Sequence, residues 1–289
     1  NDYAGYFTEA LTFSQNFGGN TTCFDFTSNS VTRSIYTETF SVRYRMNSTS
    51  RGLYVADLGS DDGSRLTVDG SLIYNNWSDQ AFTSRPRVLM NLTGSSQLVY
   101  DFYENGGGNS VVFQNFTQVF SNTLSSNLNQ TICIGSTGSA ISGDVFGALP
   151  AGISLSGTGY QWTYSVTPAG IRTAIPGANS VTFTPDASVA PFNAVGTYYV
   201  YRTANITSSN NVSPNPYTAS NESDAAVITV TDPPTATFSY AGSPFCSTSA
   251  IGVVTFSGTA GGTFSATPSG LIINPATGEI TPAGSTPGT

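Results

Sequence analysis

Short segments that alternate apolar and polar residues recur along the whole chain, and they limit the possible folds more than any other sequence feature. Residues 40–45 have the sequence Phe-Ser-Val-Arg-Tyr-Arg, and residues 64–69 have the sequence Ser-Arg-Leu-Thr-Val-Asp. Alternation with a period of two is typical of a β-strand with one buried face. The dipeptide Asp69-Gly70 favours a tight turn, so we predict a β-hairpin over residues 64–74. The sequence as a whole therefore predicts an all-β fold.

The composition agrees with packed β-structure. Charged residues make up only 9% of the sequence, a fraction that would also fit disorder, but the repeated alternation argues against a disordered chain. Aromatic residues make up 12% and supply apolar bulk for cores. Thr, Val, Tyr and Phe, which are frequent here, fit a pleated sheet better than a helix. A length of 289 residues suggests two domains, with one or three also possible.

The charge and the lengths of the apolar stretches argue against two kinds of partner, nucleic acid and the membrane interior. The nine cationic side chains are all arginine, and the net charge is −8. Such a chain lacks the basic surface that would neutralise a row of phosphates, so we expect no nucleic-acid binding. The sequence also has no apolar stretch of the roughly 20 residues that span a bilayer, so we expect no membrane insertion.

The absence of histidine and lysine removes most catalytic chemistry. A Ser-His-Asp triad, a Cys-His pair, an HExxH zinc site and a lysine Schiff base are all impossible. A carboxylate pair of the glycosidase type remains, and the close pair is Asp61 and Asp62. Adjacent side chains of an extended chain point to opposite faces. We therefore predict that the chain is not an enzyme.

Breaks in the alternating pattern divide the chain into three predicted domains. Their bounds are residues 1–122, 131–232 and 235–289. Residues 123–130 form a polar link, and Asp232-Pro-Pro234 interrupts the chain before the third domain. In the second domain, Trp162 in the middle of one strand and Gly196 at the start of a later one suit an immunoglobulin-like sandwich.

The third predicted domain is too short for a complete sandwich of this type, which needs about seven strands. Its strand-like segments are residues 235–240, 252–257, 262–265 and 271–273, with a further turn and strand around 277–280. We therefore expect this domain to be incomplete. Because the chain also begins at Asn1 without methionine, we expect it to be a segment of a longer protein.

The cysteines Cys23, Cys133 and Cys246 lie one in each predicted domain and lack the spacing of a metal site. One interpretation is three buried or half-buried thiols. The other is one disulfide between domains or chains, with one thiol left over. The sequence leaves both open.

Several segments of the first domain match one family pattern. Ser60-Asp-Asp-Gly63 precedes a hydrophobic strand that ends at Asp69-Gly70, and Asn75-Asn-Trp77 follows. Residues 100–108 then have the sequence Tyr-Asp-Phe-Tyr-Glu-Asn-Gly-Gly-Gly. Together these segments closely resemble the anthrax protective-antigen domain family (the "PA-fourteen" β-barrel), over most of residues 1–120. The resemblance implies a protective-antigen-type β-sandwich or barrel.

The resemblance also implies a Ca²⁺ site. In lectin-type members of the family, two consecutive aspartates joined by a cis peptide hold one Ca²⁺, which binds vicinal hydroxyls of a sugar. On this sequence the aspartates are Asp61 and Asp62, and a later loop supplies the Asn105 side chain and the carbonyls of Gly107 and Asn109. This set of oxygen donors suits Ca²⁺, a hard ion that takes about six to eight oxygen ligands.

Two aromatic residues complete the implied carbohydrate site. Trp77 or Tyr103 would offer an apolar face to a sugar ring held by Asp61, Asp62 and Asn105. A core position for Trp77 is nevertheless favoured over a place in the binding site, and Ser-Asp-Asp-Gly also occurs where the aspartates only shape a turn. We expect Arg65 to pair with a surface carboxylate.

The later segments match repeats of another kind. Residues 159–165 have the sequence Gly-Tyr-Gln-Trp-Thr-Tyr-Ser, residues 196–199 have Gly-Thr-Tyr-Tyr, and residues 239–246 have Ser-Tyr-Ala-Gly-Ser-Pro-Phe-Cys. They resemble the immunoglobulin-like or polycystic-kidney-disease-like repeats of very large bacterial adhesins secreted by the type IX system. The resemblance implies two immunoglobulin-like β-sandwich domains after the first domain, the last incomplete, and an extracellular location at the cell surface.

These observations favour a cell-surface adhesin segment whose first domain binds carbohydrate in a Ca²⁺-dependent manner and whose later domains are spacers. The expected partners are glycans on other cells or surfaces and neighbouring copies or domains of the same adhesin. One alternative is a purely structural segment of an extracellular filament, without a ligand. A third is an accessory module of a polysaccharide-degrading enzyme. Convergence of Asp61, Asp62 and Asn105 on a solvent-facing pocket would favour the first.

Overall fold

The computed structural model of the protein describes residues 3–19 and 22–288. Within these residues the regular structure consists of β-strands, apart from one short 3₁₀-helix at Pro282–Gly284. The strands form antiparallel sheets, and the predicted all-β sandwich fold is confirmed. No helix in the described part of the chain is long and apolar enough to cross a membrane.

Ten strands form the first sandwich. They are β1 (Phe13–Asn16), β2 (Cys23–Ser28), β3 (Val31–Tyr36), β4 (Phe40–Ser48), β5 (Arg51–Ser60), β6 (Ser64–Val68), β7 (Ser71–Asn76), β8 (Thr83–Thr93), β9 (Ser96–Glu104) and β10 (Ser110–Phe120). One sheet has the order β1-β10-β5-β8 and the other has the order β4-β9-β6-β7, while β2 and β3 pair with each other. The predicted hairpin is confirmed as β6 and β7, with Asp69 and Gly70 at positive φ in the turn.

Aromatic side chains fill the space between these two sheets. Tyr74, Tyr100, Phe102 and Phe113 are all fully buried there, and Phe17 is 1% exposed. Each fully buried side chain of this size stabilises the folded state by about 1.5–3 kcal/mol relative to an exposed position. The apolar residues of the alternating segments thus lie on one face of each sheet, and these two faces form a common core.

Eight strands follow. They are β11 (Leu124–Ser126), β12 (Asn129–Cys133), β13 (Ser142–Gly143), β14 (Ile153–Ser165), β15 (Thr173–Ala174), β16 (Gly196–Ser208), β17 (Tyr217–Glu222) and β18 (Ala226–Thr231). A six-stranded sheet has the order β12-β18-β16-β14-β15 with β17 paired to β16, and β11 pairs with β13. Trp162 is fully buried in the core of this sandwich, and the late strand starts at Gly196 as predicted.

Residues 180–184, with the alternating sequence Ser-Val-Thr-Phe-Thr, form a single bridge rather than a strand. Phe183 and Ile141 exchange both backbone hydrogen bonds, with N–O distances of 3.1 and 2.7 Å. Pro185 has no N–H to donate, which interrupts the ladder, and the pairing resumes at a second bridge between Thr137 and Asp186. An alternating segment therefore forms a strand only as far as its neighbour can continue the hydrogen bonding.

The two sandwiches share a third apolar cluster. The outward-facing side chains of β5 and β8, among them Leu53 and Leu89, pack against Tyr160, Ile206 and Ala219. Strand β5 is consequently buried on both faces. The shared cluster joins residues Asn1–Val230 into one compact unit, here the first unit. Each sandwich keeps its own sheets, and the bounds 1–122 and 131–232 stay a prediction.

Buried polar groups also connect the two sandwiches. Asn211 is fully buried; its Oδ1 accepts the Leu89 N–H at 2.9 Å, and its Nδ2 donates to the carbonyls of Ile73 and Leu89 at 2.8 and 3.0 Å. Arg202, also fully buried, donates from Nε to Oδ1 of Asn122 at 3.0 Å. Asn122 directly precedes the predicted polar link, so the link starts from a fixed point in the junction.

The second unit covers Thr231–Thr289. It contains β19 (Ala236–Tyr240) paired with β20 (Val254–Gly258), and Gly252 and Ile273 form isolated bridges to Ile280. The predicted strands at 235–240 and 252–257 are confirmed in essence. Segments 262–265 and 271–273 do not become strands, because their backbone bonds go to turns, such as Phe264 N to the Pro275 carbonyl at 2.9 Å.

The described residues contain no disulfide bond. Cys23 and Cys246 are exposed, and Cys133 is half-buried. The burial expected for all three cysteines holds for Cys133 and not for Cys23 or Cys246, and a disulfide between chains stays a prediction.

Candidate functional site

Three loops meet at one end of the first sandwich. They comprise residues 61–63 between β5 and β6, residues 77–82 between β7 and β8, and residues 105–109 between β9 and β10. They converge because the strands that they join are hydrogen-bonded neighbours: β5 pairs with β8 and β10, and β6 pairs with β7 and β9. The sheet topology thus brings sequence positions that are more than 40 residues apart into contact.

Asp62 connects all three loops. Its side chain is buried, with Oδ1 accepting the Gln80 N–H at 2.9 Å and Oδ2 accepting the Asn105 N–H at 2.6 Å. Its own N–H donates to the Gln80 carbonyl at 2.8 Å. A carboxylate with this set of charge-assisted bonds holds the loops in one arrangement. Asp62 is therefore in place to organise the site, whether or not it also contacts a ligand.

The Asp61–Asp62 peptide bond differs from the one that the family resemblance implies. All cis peptide bonds among the described residues precede proline, so this bond is trans. The two carboxylates lie against different parts of the site. Asp62 is directed to the loop N–H groups, whereas Asp61 lies against Gly108, where an added Cβ would sit 2.3 Å from Asp61 Oδ2. Glycine at position 108 leaves room for that carboxylate.

Glu104 is a third carboxyl group at this site, and the sequence reasoning did not single it out. It is 3% exposed, its Oε1 accepts the Gly106 N–H at 2.9 Å, and its buried Oε2 has no hydrogen-bond partner. Burial, and then the nearby charge of Asp62, raise the pKa of Glu104 to about 7. The pKa of Asp61 is also raised, first by burial and then by Asp62. The site therefore concentrates negative charge with no cationic side chain bonded to it in the described residues.

The Asn105 side chain is exposed and held by a neighbouring loop. Its Nδ2 donates to Oδ2 of Asp79 at 2.9 Å, which turns Oδ1 of the amide away from Asp79. The other oxygen of Asp79 accepts the Tyr103 hydroxyl at 2.7 Å. These bonds, Tyr103 first, lower the pKa of Asp79. Asp79 is a second residue that sequence reasoning missed, since nothing in its local sequence indicates this contact.

Gly107 and Asn109 occupy different positions in their loop. Gly107 is partly exposed with φ at +103°, and no atom lies within 4 Å of the place where a Cβ would be. Asn109 is buried; its Nδ2 donates to the Thr37 carbonyl at 3.2 Å and its own carbonyl accepts the Phe17 N–H at 3.0 Å. The Asn109 carbonyl, expected as a ligand, already has a backbone donor, while Asn109 Oδ1 is buried without a partner.

Trp77 and Tyr103 form an aromatic pair beside the loops, with ring centroids 4.6 Å apart. Trp77 is 41% exposed, in contrast to the favoured core position. The Arg65 guanidinium lies 4.4 Å from the Trp77 ring centroid and its Nε donates to Asp101 at 3.1 Å. The expected ion pair of Arg65 is present, although Asp101 is buried rather than at the surface.

The oxygen ligands at this site match calcium better in their chemical type than in their spatial arrangement. No group of three or more His, Cys, Asp and Glu side chains in the described chain is placed to hold a metal ion. Calcium sites, however, also use amide and carbonyl oxygens. Two buried oxygens have no partner: Glu104 Oε2 lies at the end of β9, and Asn109 Oδ1 lies on the same loop as Asn105. Unpaired buried acceptors of this kind favour a cation, so the chemistry of the donor set fits Ca²⁺.

Comparisons with known proteins add little to this description. No family model matches the sequence, and no curated protein matches it. An anti-sigma factor domain-containing protein aligns over 74% of this chain and 76% of its own, with 14% identity and a TM-score of 0.29. Crystal structures of a GH2 β-galacturonidase from Eisenbergiella tayi, bound to glycerol and to galacturonate, align over 82% and 89% of this chain but 46% and 43% of theirs. Their identities are 9% and 8% with TM-scores of 0.23, and similarities this low support no functional argument.

Proposed function

We propose that the chain is a segment of an extracellular, cell-surface adhesin whose first sandwich binds carbohydrate in a Ca²⁺-dependent manner. The observation that carries this proposal is the meeting of the loops that carry Asp61, Asp62 and Asn105 at one end of the first sandwich, beside Trp77 and Tyr103. Carboxylate and amide oxygens next to a partly exposed aromatic pair form a suitable combination for a sugar that has both hydroxyls and an apolar face.

Each residue has a distinct part in this proposal. Asp61, Asp62, the Asn105 side chain and the Gly107 carbonyl would hold the ion. A bound calcium ion supplies coordination positions for sugar hydroxyls. Asp62 keeps the loops together through its bonds to Gln80 and Asn105. The Trp77 ring, kept in place by Arg65 and Tyr103, covers the apolar face of the sugar.

The remaining residues act as spacers in this proposal. The junction combines the buried apolar contacts of Leu89 and Ile206 with the buried hydrogen bonds of Asn211, so the first two sandwiches keep a fixed geometry. A rigid connection suits a binding domain that must be held away from a cell. Weak binding at one site is offset when many copies engage a surface of glycans together.

Titration of Ca²⁺ into the full chain by calorimetry tests the metal site. Asp61→Asn is the informative variant, because the Asp61 carboxylate has no hydrogen bond in the described residues, so its change should leave the fold intact. We expect Asp61→Asn to weaken Ca²⁺ binding at least about tenfold, or about 1.4 kcal/mol. Asp232→Asn, at an exposed aspartate, is the matched control and should bind as the original chain does. Absence of Ca²⁺ binding in the original chain would remove the proposal.

Carbohydrate binding requires a separate test. A glycan array probed with the full chain in calcium, and again with a chelator, should give signals only in calcium. Trp77→Ala should lose these signals while still binding Ca²⁺, since Trp77 contacts the sugar and not the ion. Signals that persist in the chelator, or that Trp77→Ala retains, would contradict the proposed arrangement.

One observation favours the second candidate function, a structural segment of an extracellular filament. In the second unit, the side chains of Phe238 and Phe256 are 60% and 40% exposed on a two-stranded sheet. Exposed aromatic residues on a short sheet are typical of surfaces that associate with other chains. Sedimentation of the full chain over a range of concentrations tests this: reversible growth, reduced by Phe238→Ser, would support it, and a monomer at all concentrations would contradict it.

A further inference from the structure

Residues Asn105 and Gly106 are the single Asn-Gly pair of the sequence, and they lie in the loop between β9 and β10. The backbone nitrogen that follows an asparagine is able to attack the side-chain amide carbon of that asparagine. The reaction is easiest when the following residue is glycine, which has no Cβ to obstruct the approach and the greatest backbone freedom. Asn105 is therefore the asparagine of this sequence at which the attack is expected to be easiest.

The local structure favours the reaction at this pair. Asn105 is exposed, and Gly106 and Gly107 have φ values of +114° and +103° in an all-glycine run that ends at Gly108. The one atom that approaches within 4 Å of the missing Gly106 Cβ is Oε2 of Glu38, at 3.6 Å. The backbone at this point thus has room for the movement that brings Gly106 N to the Asn105 side chain, and this movement works against the bonds from Asn105 to Asp62 and Asp79.

An oxygen of Glu104 already accepts the hydrogen that must leave. The Gly106 N–H donates to Oε1 of Glu104 at 2.9 Å. A nitrogen becomes a better nucleophile as its proton is drawn away, and an acceptor positioned beforehand assists this step. The Asn105 amide is accessible from solvent on its other side, so water reaches the product ring.

We propose that Asn105 is a site of spontaneous self-modification to aspartate or isoaspartate. Gly106 N bonds to Cγ of Asn105, the bond from Cγ to Nδ2 breaks, and Nδ2 leaves as ammonia with the proton given up by Gly106 N. The product is a five-membered succinimide ring. Water then opens the ring at either carbonyl, so that the net change is gain of one water and loss of one ammonia.

The modification changes the chemistry of the loop end. It adds one carboxylate to a place that already holds Asp61, Asp62, Asp79 and Glu104. The isoaspartate product also lengthens the main chain by one methylene and displaces the glycine run. The reaction itself requires no bound ion, so it stands apart from the proposed calcium binding.

The test is to store the folded full chain at neutral pH and to map its peptides by mass spectrometry over time. The peptide that contains Asn105 should gain about 1 Da, with release of ammonia. Exposed Asn127, which is followed by Leu128, is the internal control, and Asn105 should convert at least about tenfold faster. Asn105→Gln, which would need a larger ring, should abolish the gain in that peptide.

Two outcomes would overturn the proposal. In the first, the Asn105 peptide of the folded chain keeps its mass while that of the urea-unfolded chain rises, which would mean that the fold protects the pair. In the second, Asn105 converts no faster than Asn127. The same incubation with added Ca²⁺, run in parallel, reports only whether a bound ion protects the loop. The two outcomes above are judged in the same way with or without Ca²⁺.

Discussion

The first and second units have the same kind of alternating sequence but bury very different shares of it. Ile206 in the first unit is fully buried, whereas Phe238 and Phe256 in the second are 60% and 40% exposed. Among the described residues from 231 to 288, Ile280 is the one buried hydrophobic side chain. Alternation predicts which face of a strand is apolar, but burial requires a second layer to cover that face.

The layers explain the difference between the units. The first unit contains stacked sheets and three apolar clusters. The second contains one two-stranded sheet and two isolated bridges in its described residues. A two-stranded sheet without a covering layer is marginally stable at best. We therefore expect the two units to respond very differently to equivalent substitutions.

The largest difference is expected for a pair of isoleucines. Ile206→Ala, in the cluster shared by the two sandwiches, should lower the free energy of unfolding by about 2–5 kcal/mol because it leaves a cavity. Ile272→Ala, at a residue 49% exposed, should change it by no more than about 0.5 kcal/mol. Urea unfolding followed by tryptophan fluorescence reports on the first unit, which contains both tryptophans, and hydrogen exchange reports on the second. A comparable loss in both variants would reveal a core in the second unit and break the comparison.

A pair of asparagines gives the next largest difference. Asn211→Ala should cost about 1–3 kcal/mol, because the N–H and carbonyl of Leu89 and the Ile73 carbonyl would stay buried without partners. Asn274 also bonds backbone N–H groups, those of Ala276 and Thr277, but in an exposed turn. Asn274→Ala should cost no more than about 0.5 kcal/mol, since water replaces the lost bonds. The same unfolding measurements apply, and a neutral Asn211→Ala would mean that the sandwiches are not held through this side chain.

The last comparison concerns two glutamates and pH. Because the pKa of Glu104 is raised from 4.5 to about 7, the folded chain binds this proton more tightly than the unfolded chain does. In a chelator, the stability of the first unit should therefore fall as the pH rises from 4.5 to about 7. Glu104→Gln should flatten most of this fall, and Glu279→Gln, at an exposed residue, should leave it unchanged. The urea midpoint at a series of pH values measures it, and a midpoint that rises over this range would show that Glu104 is not buried as described.

Local features of the candidate site could be predicted from sequence, and its contacts could not. The pattern of Ser60-Asp-Asp-Gly63 indicated the aspartates, and the glycine run indicated the second loop. The bonds from Asp79 to Asn105 and Tyr103 join separate loops, and no periodicity reports on such contacts. Burial of Glu104 was equally hidden, since its position at the end of β9 does not show what covers it. Whether Asp61 and Asp62 hold an ion stays a prediction.

The sequence by itself determined many of the strands, the turn at Asp69-Gly70 and the β-class of the fold, because these depend on residues close together in the chain. The tertiary structure decided which apolar faces are covered. Leu53 and Leu89 became core residues through the second sandwich, whereas Phe238 remained exposed. It also decided that three loops meet around Asp62. Both outcomes depend on contacts between distant segments, whose partners are set by the pairing of whole strands rather than by any local pattern.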